Sequence, residues 1–116
     1  MAASDFALGL DAVWQREEAA GRPMAFTIGR FHTNPREHAL TKVAGEMALS
    51  LDVRAYDREH LASLERETLA LVHTIEARRG VRFEMGPRAS ADVAPSDTSV
   101  LASLQAAADA VGTRTM

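Results

Sequence analysis

The sequence predicts an α+β fold: a two-layer sandwich with an antiparallel sheet, helices on one of its faces, and a further helix at the C-terminus. Three observations predict it. Met47, Leu49, Leu51 and Val53 alternate with Ala48, Ser50, Asp52 and Arg54, the period of a half-buried strand. Residues 57–79 carry Leu61, Leu64, Thr68, Leu71, Val72 and Ile75 at the spacing of one helical stripe. The order of elements is helix, strand, strand, helix, strand and a detached helix, which is most of a split β-α-β arrangement. A ferredoxin-like unit would open with a strand before its first helix, and this chain opens with the helix.

The first helix has Ser4 as its expected cap and Phe6, Leu10, Val13 and Trp14 as its apolar stripe. Gln15, Arg16, Glu17 and Glu18 are expected on the wet side, and Gly21 and Pro23 end it. Trp14, the single tryptophan, is expected as a core or interface anchor. In residues 24–32, Phe26 and Ile28 alternate with Ala25, Thr27 and Gly29, giving a strand. Residues 33–38 are polar and hold the Asn34-Pro35 pair, so a loop follows. The clean alternation after Gly45 is the second strand, and the two strands form an antiparallel pair with a long connection.

Asp57 is the expected N-cap of the longest helix, Arg78 and Arg79 suit its C-terminal dipole, and Gly80 is its stop. Val81, Phe83 and Met85 alternate with Arg82 and Glu84 and predict a third strand, broken by Gly86-Pro87. Residues 89–97 read as a linker. Pro95 and Ser96 or Asp97 then open a short helix through Val100, Leu101, Leu104, Ala107, Ala108 and Val111, stopped by Gly112. This divides the chain into residues 1–91 and a return linker with its helix, residues 92–116.

Composition narrows the function. The chain has 116 residues, 47% hydrophobic and 25% charged, which suits one globular core. No apolar run approaches a membrane span, and Asp5 and Asp11 interrupt any leader-like stretch. There is no cysteine, which removes disulfides and thiolate chemistry and fits a reducing, cytoplasmic setting. A net charge of −3 gives no electrostatic case for nucleic acid. Its 5% aromatic content argues likewise against a sheet that stacks RNA bases.

The four histidines, His32, His38, His60 and His73, show no H-E-x-x-H or related spacing, so they read as surface or capping residues rather than metal ligands. Nucleophile-elbow and phosphate-loop motifs are absent. Asp52 and Arg54 are neighbours on one strand face. They read either as a solvated ion pair or as a guanidinium fork held on a firm strand for a carboxylate ligand.

The run GRFHTNPREHALTKVAGEMALSLDVRAYD, with a helix ending EARRGVRFE, resembles the metal-dependent amidohydrolases that include N-carbamoyl-L-amino acid hydrolase, allantoate amidohydrolase and β-alanine synthase. Those metallopeptidase-like hydrolases combine a catalytic domain holding two divalent metals, zinc or manganese, with an inserted lid domain that also forms the dimer contact. The family's "VGR" strand and "PGEVRFSLDIR" strand are matched here by Ile28-Gly29-Arg30 and by residues 45–54. The resemblance covers roughly residues 4–116 and implies a lid and dimerisation domain of ferredoxin-like type, lacking its first strand.

It further implies a homodimer, and a substrate carboxylate bound by Arg54, the arginine closing the second strand. The family's substrate-binding asparagine in the preceding turn aligns with Thr41, a departure that leaves the substrate class open, and His38 is a neighbouring substitute contact. The chain begins near the methionine of a "HAGTTPM"-like stretch and ends on Thr113-Arg114-Thr115-Met116, like the "RTM" before "PSGAGHDA". The resemblance therefore implies a piece without metal ligands or cofactor of its own. Such a piece would be inactive alone in hydrolysing carbamoyl or ureido C–N bonds, and its last helix would dock on a neighbouring molecule. The competing expectation is a stand-alone dimeric module that binds a small carboxylate.

Overall fold

The computed structural model describes residues 1–91 and 94–113. Helix α1 spans Ala2–Ala19, strand β1 Met24–Thr33, a single 3-10 turn Pro35–Glu37, strand β2 Met47–Ala55, helix α2 Arg58–Arg79 and helix α3 Thr98–Ala110. The fold is mixed α+β: an antiparallel β1-β2 sheet, two helices over one of its faces, and a C-terminal helix. No helix among the described residues is long and apolar enough to cross a membrane.

Local chemistry accounts for most boundaries. Asp57 caps α2 by accepting from the His60 N–H at 2.7 Å. Gly80, at φ 63°, closes it in the left-handed conformation that glycine adopts without strain. Asp97 caps α3, accepting from the N–H groups of Ser99 and Val100. Ser4 caps nothing: α1 begins one turn earlier than expected, with Met1 at its N-cap and no side-chain cap.

The core is a seam between α1 and α2. Phe6, Leu10, Val72 and Ile75 are buried together, and Phe26 and Ile28 of β1 and Leu49 and Leu51 of β2 pack beneath them. The helices approach closely where Gly9 meets Leu71, since a Cβ on Gly9 would lie 2.5 Å from a Leu71 methyl. Antiparallel directions for α1 and α2 follow from Asp5 at the start of α1, which accepts from both Arg78 and Arg79 at the end of α2 at 2.7 Å. The two arginines therefore serve a partner helix rather than only their own dipole.

Two expectations fail here. Residues 81–85 are not a strand. The Phe83 N–H donates to Glu76 Oε1 at 2.8 Å and its ring packs against Phe6 at 5.6 Å. Arg88 then reaches Glu65 further back along α2. The segment thus retraces α2, anchored by side chains instead of a β ladder, and the described sheet has two strands. Trp14, second, lies 40% exposed beside Arg22, Pro23 and Met24, so of the core and interface places expected for it the core one fails.

Helix α3 buries none of its residues. Val100, Leu101, Leu104 and Val111 all face solvent. The linker residues 92–93 and the terminal residues 114–116, which carry the "RTM" likeness, lie outside the described residues.

Candidate functional site

Register decides what the sheet presents. Phe26 pairs with Val53 and Ile28 with Leu51, all four on the helix-covered face. Regular alternation would send residue 30 inward as well. A bulge at Gly29 prevents this: the pairing resumes as Arg30 with Ser50 and Phe31 with Leu49. The extra residue reverses the pleat, so Phe31 falls on the helix side of the sheet, where it stays exposed, and Arg30 and His32 turn to the open side. Ser50 Oγ accepts from the Arg30 N–H at 3.0 Å, which satisfies a ladder group at the disrupted position. A side chain on Gly29 would crowd that same hydroxyl.

The open face therefore carries Arg30 and His32 from β1 and Asp52 and Arg54 from β2, over a floor of Ala25, Thr27, Ala48 and Ser50. These floor residues are small, so the charged side chains stand unobstructed. Arg54 is 78% exposed, and its Nε donates to Asp52 Oδ2 at 2.6 Å. Its terminal guanidinium nitrogens make no further contact among the described residues. This is the solvated pair that pattern alone favours. It also leaves the two-pronged end of the fork open, the edge that grips a carboxylate.

The three residues expected to share a substrate do not meet within one chain. Arg54 pairs with Ala25 at one end of the hairpin, and the connection holding His38 and Thr41 leaves from the other end, beyond Thr33 and Met47. Seven residues of strand, about 23 Å, separate the two ends. Thr41 sits in an exposed turn where Lys42 N–H donates to Ala39 O. The His38 ring hydrogen-bonds the Thr33 hydroxyl, which ties the loop back to the end of β1. Besides Asp52, the charged residue on the face of Arg54 is Arg30, offset by four positions along the strands.

A second charged assembly lies on the helical side. Glu17, expected on the wet side of α1, is only 3% exposed. Its carboxylate accepts from Arg22 Nε and Nη2 at 2.7 and 2.8 Å, from Arg16, and from His60 Nε2 at 2.9 Å. The Arg22 guanidinium, assisted by His60 and Arg16, holds the Glu17 carboxyl down at about 2 against the opposing effect of burial. Arg16 also pairs with Glu67 of α2. Spacing held the signal: Glu17 continues Phe6, Leu10 and Val13 at steps of four, three and four, and His60 lies one turn before Leu64. The two polar residues thus end two apolar stripes that face each other. Every acceptor valence of Glu17 is engaged from within, so the assembly is a structural clamp between α1, the turn that follows it and α2.

Groups of three or more histidine, aspartate or glutamate side chains able to hold a metal do not occur among the described residues. The metal pair that the amidohydrolase resemblance implies has no matching donor set among the described residues. The chain matches no family model, no curated protein and no solved structure.

Proposed function

We propose that this chain is the lid and dimerisation portion of a metal-dependent hydrolase of carbamoyl or ureido C–N bonds, and that Arg54 receives the substrate carboxylate. The observation that carries the reading is the exposed guanidinium of Arg54 on a paired strand, with its terminal nitrogens open. A planar cationic fork on a rigid element binds a carboxylate bidentately and orients whatever is attached to it. Asp52, in contact with Arg54 at 2.6 Å, places an acceptor next to the fork. A ligand with N–H donors beside its carboxylate, as in an N-carbamoyl amino acid, matches that pair.

In a complete hydrolase the metals would activate the attacking water, while this portion would hold the carboxylate and exclude bulk water as it closes. The piece alone has no hydrolase activity under this reading. A homodimer is part of it. The exposed Val100, Leu101 and Leu104 of α3, with Val111 at its C-cap, form an apolar face that calls for a partner surface. Closure of the lid in the cytoplasm over a small carboxylate, with no nucleic acid or membrane involved, completes the reading.

The test is a titration of the full chain with an N-carbamoyl amino acid, followed by amide chemical shifts, together with light scattering across a concentration series. Binding that disappears in Arg54→Ala and a concentration-independent dimer are the expected results. Binding unchanged in Arg54→Ala overturns the assignment of Arg54, and a monomer at all concentrations overturns the dimer. If the same ligand-bound dimer forms in a chain that has no catalytic portion in its natural context, the stand-alone carboxylate-binding module takes its place.

A further inference from the structure

We propose that Arg30 is a second anion-binding residue beside Arg54, and that the open sheet face selects small dianionic ligands, dicarboxylates above all, over monocarboxylates. The inference rests on the Arg54 reading above and adds a specificity-determining residue to it.

The bulge is the starting point. Gly29 shifts the pleat by one residue, and without that shift Arg30 would point into the apolar layer between sheet and helices. The bulge instead aims Arg30 outward, and Ser50 Oγ holds its backbone in place. Bulges commonly re-aim a side chain in this way next to binding sites. Arg30 has no ion-pair partner among the described residues, whereas Arg16, Arg22, Arg78, Arg79, Arg82 and Arg88 each have one.

Geometry then limits the ligand. Arg30 pairs with Ser50, and Arg54 stands four positions further along the same face, roughly 13 Å between their backbones along the strands. Side chains on one sheet face stand roughly perpendicular to it, so the two guanidinium groups stay about as far apart as their backbones and leave room between them for a molecule of a few carbons bearing an acid group at each end. Asp52 lies between them and faces the ligand's interior, where it accepts N–H donors and repels a third anionic group. His32 flanks Arg30 on the outer face, two residues on. A long acidic polymer does not suit a face with an aspartate at its centre. A short dianion with a donor-bearing middle does, and an N-carbamoyl derivative of an acidic amino acid has that form.

The test compares N-carbamoyl-L-aspartate with N-carbamoylglycine as ligands of the full chain, by calorimetry or chemical-shift titration at low ionic strength. The dicarboxylate is expected to bind about three- to fivefold more tightly, the reach of one added exposed charge pair. The preference shrinks in 0.5 M salt through screening. Arg30→Ala abolishes the preference while leaving N-carbamoylglycine affinity unchanged, Arg30→Lys restores part of it, and Ser50→Ala weakens it by loosening the bulge. Circular dichroism of each variant confirms that the exposed substitutions leave the fold intact. Equal affinities for the two ligands in the parent chain, or a preference that survives Arg30→Ala, overturn the inference while leaving the Arg54 reading standing. Failure of both ligands to bind overturns the Arg54 reading and this inference with it.

Discussion

The two faces of the β hairpin treat charge in opposite ways. On the helical side, Glu17 is closed in by Arg22, Arg16 and His60, and Asp5 by Arg78 and Arg79. On the open side, Arg54 has one carboxylate contact and Arg30 has none among the described residues. Charges that hold elements together are satisfied from several directions and partly shielded. Charges on the open face stand on small neighbours with donor edges free. That contrast separates side chains that maintain the fold from side chains available to a ligand.

The largest expected effect lies in the helical seam. Ile75→Ala removes one of the most deeply buried side chains and is expected to cost about 2–5 kcal/mol, measured by urea denaturation. In a domain with so few buried residues, that loss brings the fold close to its stability limit.

Acid is the next way to break the comparison. The folded-state value of Glu17, about 2, lies below the ordinary 4.5. A depressed carboxylate contributes stability above its unfolded value and loses it as pH falls through the folded one. Unfolding between about pH 4.5 and 2 should therefore steepen with Glu17 present. Glu17→Gln should lower stability at pH 7 and flatten that acid limb. An unchanged acid limb would mean that the clamp contributes nothing to folding.

Smaller effects follow outside the seam. Asp57→Ala, which removes the α2 cap, is expected to cost about 1 kcal/mol. Leu104→Ala on α3 should leave monomer stability within about 0.5 kcal/mol, because the residue is exposed. The same change should weaken self-association in light scattering. Arg54→Ala should fall within the same range of stability, since one exposed ion pair contributes little.

Much of this was legible in the residues. The alternation from Met47 to Arg54 identifies β2 and its inner face, Asp57 and Gly80 mark helix ends that the structure bears out, and of Ser96 and Asp97 the structure selects Asp97 as the α3 cap. The failures have physical causes. Residues 81–85 carry a strand's alternation, but a strand exists only with a hydrogen-bonding neighbour, and side chains of α2 and α1 claim this segment first. Charge alone puts Glu17 on the wet side, and charge is a poor guide when arginine and histidine partners come from other elements. A glycine inside a strand pattern is the usual mark of a bulge, and only the register shift at Gly29 turns Arg30 to the face of Arg54, whereas the resemblance points to the distant loop that holds His38 and Thr41.

The most direct measurement is an amide chemical-shift titration of the full chain with N-carbamoylglycine at neutral pH. The account predicts saturable shifts confined to the open face around Asp52, Arg54 and their β1 partners, with the α1–α2 seam unmoved, and their loss in Arg54→Ala. Shifts centred on Glu17 and His60, or shifts that persist without Arg54, would contradict it.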